Sequence, residues 1–308
     1  MFVVAEEKSL QYRFNFTDTC NMCGAFSDRQ KILGRRLNSS QGKNPKSKVG
    51  ISTTIMRCKS CGLIYSNPKP VPLDIQDHYG ILPESYWDRE YFSENAEYFQ
   101  YELKTLGKYL TIRKGMKALD IGAGIGKAMI AMEKAGLDVC GIEPGKHFYE
   151  RAISVSGIST EKLKPLLLEQ AEFSADEFDF ISFGAVLEHL ADPSGSIVKA
   201  MGWLKPGGII HIEVPSSAWL VSKLVNLYYR LRGTDYVTNL SPMHEPYHLY
   251  EFGLKSFEEH ATHNGYEVVH HEYFVCDTHL PKFADFLLKP LMRFTSSGMQ
   301  LCIWLRKK

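Results

Sequence analysis

Three groups of residues in this 308-residue chain have the types and spacing that chemistry requires. The first is Lys117-Ala-Leu-Asp-Ile-Gly-Ala-Gly-Ile-Gly126, an apolar strand running into a three-glycine turn, with Glu143 closing the next apolar run from Val139. Gly122, Gly124 and Gly126 carry no Cβ and accept positive φ, so the backbone can press against a ligand. A helix starting near Lys127 would point free N–H groups at an anion placed there. A carboxylate about 20 residues further on, at the tip of the second strand, sits where it can accept both hydroxyls of a ribose. The second group is a pair of knuckles, Cys20-Asn-Met-Cys23-Gly24 and Cys58-Lys-Ser-Cys61-Gly62. In each, two thiolates bracket a tight turn relieved by the following glycine, and together they supply the tetrahedral donor set of a structural zinc ion. Four thiolates leave no open coordination position, so such a zinc holds the fold and activates no water. The absence of a βαβ pattern around either pair sets redox dithiols aside. The third group is His189 and the later cluster His244, Glu245, Tyr247 and His248, all candidates to move a proton.

The glycine spacing decides which nucleoside the crevice takes. A dinucleotide fold wants G-x-G-x-x-G, and its third glycine position is Lys127 here. The pattern present, Asp120-x-Gly122-x-Gly124-x-Gly126, resembles motif I of class I S-adenosylmethionine (SAM) methyltransferases. Three further pieces follow in that family's order: Phe178 to Gly184 as a buried fourth strand, Leu187-Glu-His-Leu190 after it, and Leu204-Lys-Pro-Gly-Gly208 leading into a fifth strand, Ile209 to Pro215. The resemblance implies an α/β fold with a Rossmann-like, seven-stranded, mostly parallel sheet. It also implies that SAM contacts Asp120, Gly122, Ala123, Gly124, Gly126, Glu143 and Pro144, with Gln170 and Ala171 near the adenine. Tyr247-His-Leu-Tyr-Glu-Phe252 resembles the loop of zinc-containing deoxysugar C-methyltransferases, which also begin with a cysteine-rich region. Their loop carries Tyr-His-Glu-His where Glu245, Pro246, Tyr247 and His248 stand, so only the last His matches. His248 is therefore the leading catalytic candidate, with His189 and Tyr247 beside it. The mismatch leaves O- or N-methylation of a sugar or similar small metabolite open.

The elements that must position these groups divide the chain into a zinc-ribbon-like module over 1–72, a linker and helical lid over 73–116, and a SAM-binding domain over 117–308 with an insertion at about 216–247. Strand-like runs flank the knuckles at Tyr12 to Phe16, Ile32 to Leu37, Ser52 to Met56 and Leu63 to Tyr65, and Asn67 to Pro72 reads as a stiff linker. Helical spacing of Phe99, Leu103, Leu106 and Leu110 predicts a helix over 93–112, preceded by an aromatic cluster in which Tyr86 or Tyr91 can cover the cofactor. The third strand, Leu163 to Leu168, is interrupted by Pro165. Phe283 to Phe294 reads as an apolar helix packed on the domain or on a partner subunit, and Met299 to Leu305 as a seventh, antiparallel edge strand.

Composition narrows the function classes. No run of about 18 uninterrupted apolar residues exists, and Glu6, Glu7 and Lys8 stand where a secretory signal needs an apolar core, so the chain reads as cytoplasmic. Of seven cysteines, Cys140, Cys276 and Cys302 lie in apolar runs as buried fillers. Residues 1–80 hold 12 Lys and Arg against 6 Asp and Glu, and the rest hold 24 against 29, for a net charge of +1. The basic loop around Arg35, Arg36, Lys43, Lys46 and Lys48 is either a solvated face or a phosphate contact. Near-neutral total charge argues against an RNA methyltransferase using the ribbon as a clamp. A small-molecule acceptor is the expected partner, with a SAM-binding scaffold as the non-catalytic alternative and the oligomeric state open.

Overall fold

The computed structural model describes residues 12–36, 53–74, 76, 82–86, 89–93, 95–240, 248–278, 280 and 282–308, without the side chains of 85, 86, 89 and 90. The first strands are β1 (Tyr12–Asn15), β2 (Gln30–Arg36), β3 (Thr54–Cys58), β4 (Ile64–Ser66) and β5 (Lys69–Pro72). β2, β3 and β4 form an antiparallel meander. β5 pairs antiparallel with β1, Tyr12 opposite Pro72 and Asn15 opposite Lys69, so the expected linker is a strand. Its prolines are tolerated because a two-stranded ribbon leaves one edge of each strand needing no donor. Helix α1 (Gln100–Tyr109) begins later than the spacing predicts. The chain turns just before it, where Asn95 Oδ1 accepts from the Glu97 N–H and Phe99 adopts φ 63°.

The rest alternates as β6 (Lys117–Ile121), α2 (Lys127–Lys134), β7 (Asp138–Ile142), α3 (Lys146–Ser154), β8 (Leu163–Lys164), β9 (Phe178–Gly184), α4 (Pro193–Trp203) and β10 (Leu204–Pro215). Then come α5 (Leu220–Leu231), β11 (Tyr236–Val237), β12 (Tyr250–Glu251), α6 (Leu254–Ala261), β13 (Tyr266–Phe274), α7 (Lys282–Phe294) and β14 (Gln300–Lys307). The seven-stranded sheet has the order β13-β14-β10-β9-β6-β7-β8. β6 to β10 are parallel, and β14 lies antiparallel to both its neighbours. The seventh strand is thus interior, and β13 takes the edge. Leu301 to Leu305 are all buried, so this strand is covered on both faces. β8 stops after two residues because Pro165 has no N–H to donate.

The insertion adds to the N-terminal sheet. β11 pairs with β2 and β12 with β4, giving the order β11-β2-β3-β4-β12. Two residues of the basic loop are used in this join: Arg35 makes a bidentate pair with Asp235 at 2.7 and 2.9 Å, and buried Arg36 donates to the Leu240 carbonyl at 2.7 Å. Lys43, Lys46 and Lys48 lie outside the described residues. One apolar cluster runs without a break from Met22, Leu63 and Tyr65 to Leu119, Ile181 and Ile210 of the large sheet. Of the three other cysteines, Cys302 is buried, while Cys140 and Cys276 are half-buried. Helix α7 buries Met292, while Phe283, Phe286, Leu287 and Phe294 are exposed. Among the described residues no helix is long and apolar enough to cross a membrane.

Candidate active site

The order of the large sheet reverses between β6 and β9, and ligands of such sheets bind beyond the carboxyl ends of the strands at that point. A cleft of about 2070 Å³ opens there. That exceeds the roughly 300–1,000 Å³ of an ordinary ligand pocket, so a nucleoside cosubstrate and an acceptor both have room. The turn after β6 forms one wall. Gly122 has φ 70°, and a Cβ on it would lie 2.4 Å from Val186 Cγ2, so only glycine lets this turn pass the loop after β9. The turn's amides are consumed internally: Gly122 and Ala123 donate to the Ile142 carbonyl and Gly126 to that of Ala123. Gly124 donates to Glu143 Oε2 at 2.8 Å, and Gly145 to Oε1 at 2.6 Å. The amides of Gly122, Ala123, Gly124 and Gly126 are therefore not available to a ligand, and carboxylates line the wall beside them. Glu143 keeps one lone pair free on each oxygen, which suits two ribose hydroxyls.

Burial, reinforced by the Glu143 carboxylate, pushes the Asp120 carboxyl up to about 8. Burial likewise raises Glu143 to about 7, against the lowering by the Gly145 and Gly124 amides. Two acids held this far above their ordinary range are what a cation entering the cleft would relieve. Pro144 and Gln170 line the cleft with Ala123 and Leu168. Ala171 does not: it is buried, and its amide donates to the carbonyls of Leu167 and Leu168. The turn that ends in Ala171 tucks a methyl under the sheet and offers Gln170 to the cleft.

Across from the glycine turn lie Tyr91, Tyr98 and Phe99. Lys127 holds them, donating to the Tyr91 carbonyl at 2.7 Å with its ammonium 4.6 Å from both tyrosine ring centres. The residue whose type excludes a dinucleotide turn thus anchors the cover of the cleft. The side chain of Tyr86 lies outside the described residues.

At the far end of the cleft the loop after β9 meets the segment before β12. Leu249 N–H donates to the Glu188 carbonyl at 2.8 Å, which brings His248 alongside. The His189 and His248 rings stand 4.8 Å apart at 69°, and each Nε2 is 3.9 Å from Glu188 Oε1. Burial, with the Glu213 charge behind it, raises Glu188 to about 8. Glu213 itself is raised to about 7 by burial and by Glu102. Tyr247, with His244 and Glu245, lies outside the described residues. Sequence reasoning missed Glu188 and Glu213 as cleft residues; the available signal was a charge inside an otherwise apolar segment, Leu187 to Leu190 and Ile209 to Val214.

The two knuckles converge as their spacing predicts. Cys20 and Cys61 Sγ are 3.5 Å apart, Cys23 and Cys58 Sγ 3.6 Å, and all four lie within 4.8 Å of one another. Tetrahedral Zn–S bonds of about 2.3 Å place sulfurs about 3.8 Å apart, so the set fits that ion. Gly24 and Gly62 take φ 67° and 83°, each donating to the first cysteine's carbonyl at 2.9 Å.

Residues 89–271, more than half of the chain, match the family described as a methyltransferase domain. The chain belongs to this methyltransferase family. Its sheet, with the reversed β14 between β10 and β13, is the class I SAM-dependent architecture expected from the motifs. This methyltransferase is 26% identical over 190 residues to a ubiquinone biosynthesis O-methyltransferase of Bordetella avium, covering 59% of the chain and 74% of that relative. Its namesake in Actinobacillus pleuropneumoniae is 31% identical over 136 residues, covering 42% of the chain. The chain spans 56% of that second relative, about half of its length. A solved structure from Pyrococcus horikoshii shares the fold with a TM-score of 0.50 and 16% identity, over 76% of this methyltransferase and 100% of that chain.

Proposed function

We propose that this methyltransferase acts on a hydroxyl of a small, uncharged polar acceptor. The charge of the cleft carries the reading. Asp120, Glu143, Glu188 and Glu213 line it, and among the described lining residues there is no Lys or Arg. That lining favours the sulfonium and ammonium of SAM, which would draw out its ionised form, and offers a diphosphate no cation to pair with, so a nucleotide-linked sugar is disfavoured. The relatives' name as O-methyltransferases supports oxygen as the acceptor atom. The RNA-clamp alternative is weakened too, because Arg35 and Arg36 are spent within the ribbon sheet.

Asp120 would accept from the ammonium, Glu143 from the ribose hydroxyls, and Gly122, Ala123, Gly124 and Pro144 would wall the ligand, with Gln170 at the adenine; Gly126, expected at the cofactor, packs towards Ile158 and does not line the cleft. When bound, SAM supplies an activated methyl group. The acceptor oxygen must then be in line and stripped of its proton, and His248, with His189 and Glu188 at the same end of the cleft, activates it. Cys20, Cys23, Cys58 and Cys61 would hold a structural zinc. The reading keeps the division at residues 72 and 116 and a cytoplasmic setting.

The test is incubation with methyl-deuterated SAM and a panel of phenols, catechols, sugars, nucleotide sugars and RNA, read by mass spectrometry. A labelled methyl ether on an uncharged acceptor is expected. Label only on nucleotide sugars or RNA, or none with SAM bound, would overturn the proposal.

A further inference from the structure

We propose that Asn21, Lys69 and Tyr250 are positioning residues for methyl transfer, carrying the geometry of the four-thiolate cluster to His189 and His248. The inference rests on the reading of those two histidines as the acceptor end of the methyltransferase cleft and deepens it.

Asn21 stands inside the first knuckle, between Cys20 and Cys23, so its side chain goes where those sulfurs are held. Its Oδ1 lies 3.2 Å from Lys69 Nζ and 2.9 Å from the Tyr250 hydroxyl. The same two groups reach the Ala191 carbonyl at 3.1 and 3.0 Å, and Lys69 Nζ donates to the Tyr250 oxygen at 2.9 Å. An ammonium has three protons and a phenol one, so all four are spent inside this group, the Tyr250 proton going to Asn21 or to Ala191. Ala191 is two residues past His189, and Tyr250 two past His248. Leu249, between the last pair, donates to the Glu188 carbonyl and accepts from the Ser66 N–H of β4 at 3.2 Å. β4 starts three residues after Cys61, so the second knuckle reaches the same end of the cleft. Lys69 is 6% exposed, and its hydrogen bonds all go to neutral oxygens. Burial works against its charge, with Asp192 favouring it. An apolar side chain could close such a join at no greater cost, so what the ammonium adds is direction: three acceptors fixed around one nitrogen. Displacing any of them lets two imidazoles that stand 4.8 Å apart shift relative to the transferring methyl, and in-line transfer tolerates little shift.

The experiment uses the full, zinc-loaded chain grown with isotope-labelled histidine, its imidazole resonances read by NMR and assigned through His189→Gln and His248→Gln. Asn21→Ala and Tyr250→Phe should each shift both imidazoles. They should also lower kcat/KM for any acceptor methylated in the panel above by about tenfold or more. Zinc content and the Kd for SAM should match the wild type. Asn21→Asp keeps the acceptor oxygen and should restore both readouts, and the double variant Asn21→Ala/Tyr250→Phe should lose little more than either single one, because both break one network. Arg36→Met cuts a different buried bond of the ribbon, to the Leu240 carbonyl, and should lower the melting temperature without moving the imidazoles. Unmoved imidazoles in Asn21→Ala and Tyr250→Phe, or equal shifts in Arg36→Met, would overturn the proposal. Shifts that come only with loss of zinc or of SAM binding would mark a purely structural join and overturn it as well. Imidazoles that move as expected in a protein that methylates no hydroxyl would uphold the network and sink the functional reading.

Discussion

At the scale of single residues, the cleft is governed by carboxylates whose ionisation is suppressed until a cation arrives. Glu143, proposed to accept from a ribose, holds the Gly124 and Gly145 amides. Glu143→Ala should weaken SAM binding by more than about 1.4 kcal/mol, tenfold, as one charged hydrogen-bond pair is lost. Calorimetry returning an unchanged Kd would remove Glu143 from the ribose role. Asp120 and Glu143, raised to about 8 and about 7, also predict how binding depends on pH. A cation favours their ionised forms, so SAM binding near pH 7 should release protons, and affinity should rise from pH 6 to 8. Titration in buffers of different ionisation enthalpy reads this directly, and proton uptake would contradict it. The stability of the ligand-free protein runs the other way. These acids keep protons in the native state that they lose when unfolded, so their contribution falls as pH rises from about 4 to about 8.

At the scale of elements, the segment from Tyr91 to Phe99 matters through what holds it. Helix α2 places Lys127 under the two tyrosines, where charged hydrogen bonds to the Tyr91 and Ser93 carbonyls and two ring contacts hold its ammonium. Lys127→Met should loosen the cover and raise the KM for SAM by roughly fivefold, about 1 kcal/mol, with kcat little changed. An unaltered KM would show that the aromatic segment stands without this anchor. Periodicity located β6, β7, β9 and α2 within a residue or two, because each is a continuous apolar or amphipathic run bounded by glycine or polar residues. It misplaced the start of α1, since apolar spacing is blind to a turn written in the Asn95 side chain and the left-handed Phe99 backbone.

At the scale of the whole molecule, the ribbon and the methyltransferase sheet are joined through buried polar groups as well as the shared core. Lys69 Nζ, on β5, donates to Asn21 Oδ1 inside the first knuckle, to the Ala191 carbonyl in the loop after β9, and to the Tyr250 hydroxyl on β12, at 3.2, 3.1 and 2.9 Å. Those contacts tie the cysteine cluster to both loops that carry Glu188, His189 and His248. Lys69→Met should cost about 2–3 kcal/mol, from unpaired buried acceptors, and raise the acceptor KM while leaving SAM affinity intact. A loss of SAM affinity instead would mean that the join supports the glycine turn and not the acceptor end.

The cofactor cradle and the four-thiolate set are local in the chain: glycines at alternate positions after a strand, an acid at the next strand's end, and paired cysteines around tight turns each dictate their own geometry. Their local geometry could be read from spacing, and the chemistry proposed for them from the resemblance. The acceptor end is different, because His248 and Glu188 are 60 residues apart and meet only where the Leu249 amide docks on the Glu188 carbonyl. The enlarged ribbon sheet and the interior position of β14 are of the same kind. Backbone pairing between distant segments leaves no period in either one, so only the folded chain decides which of them come together.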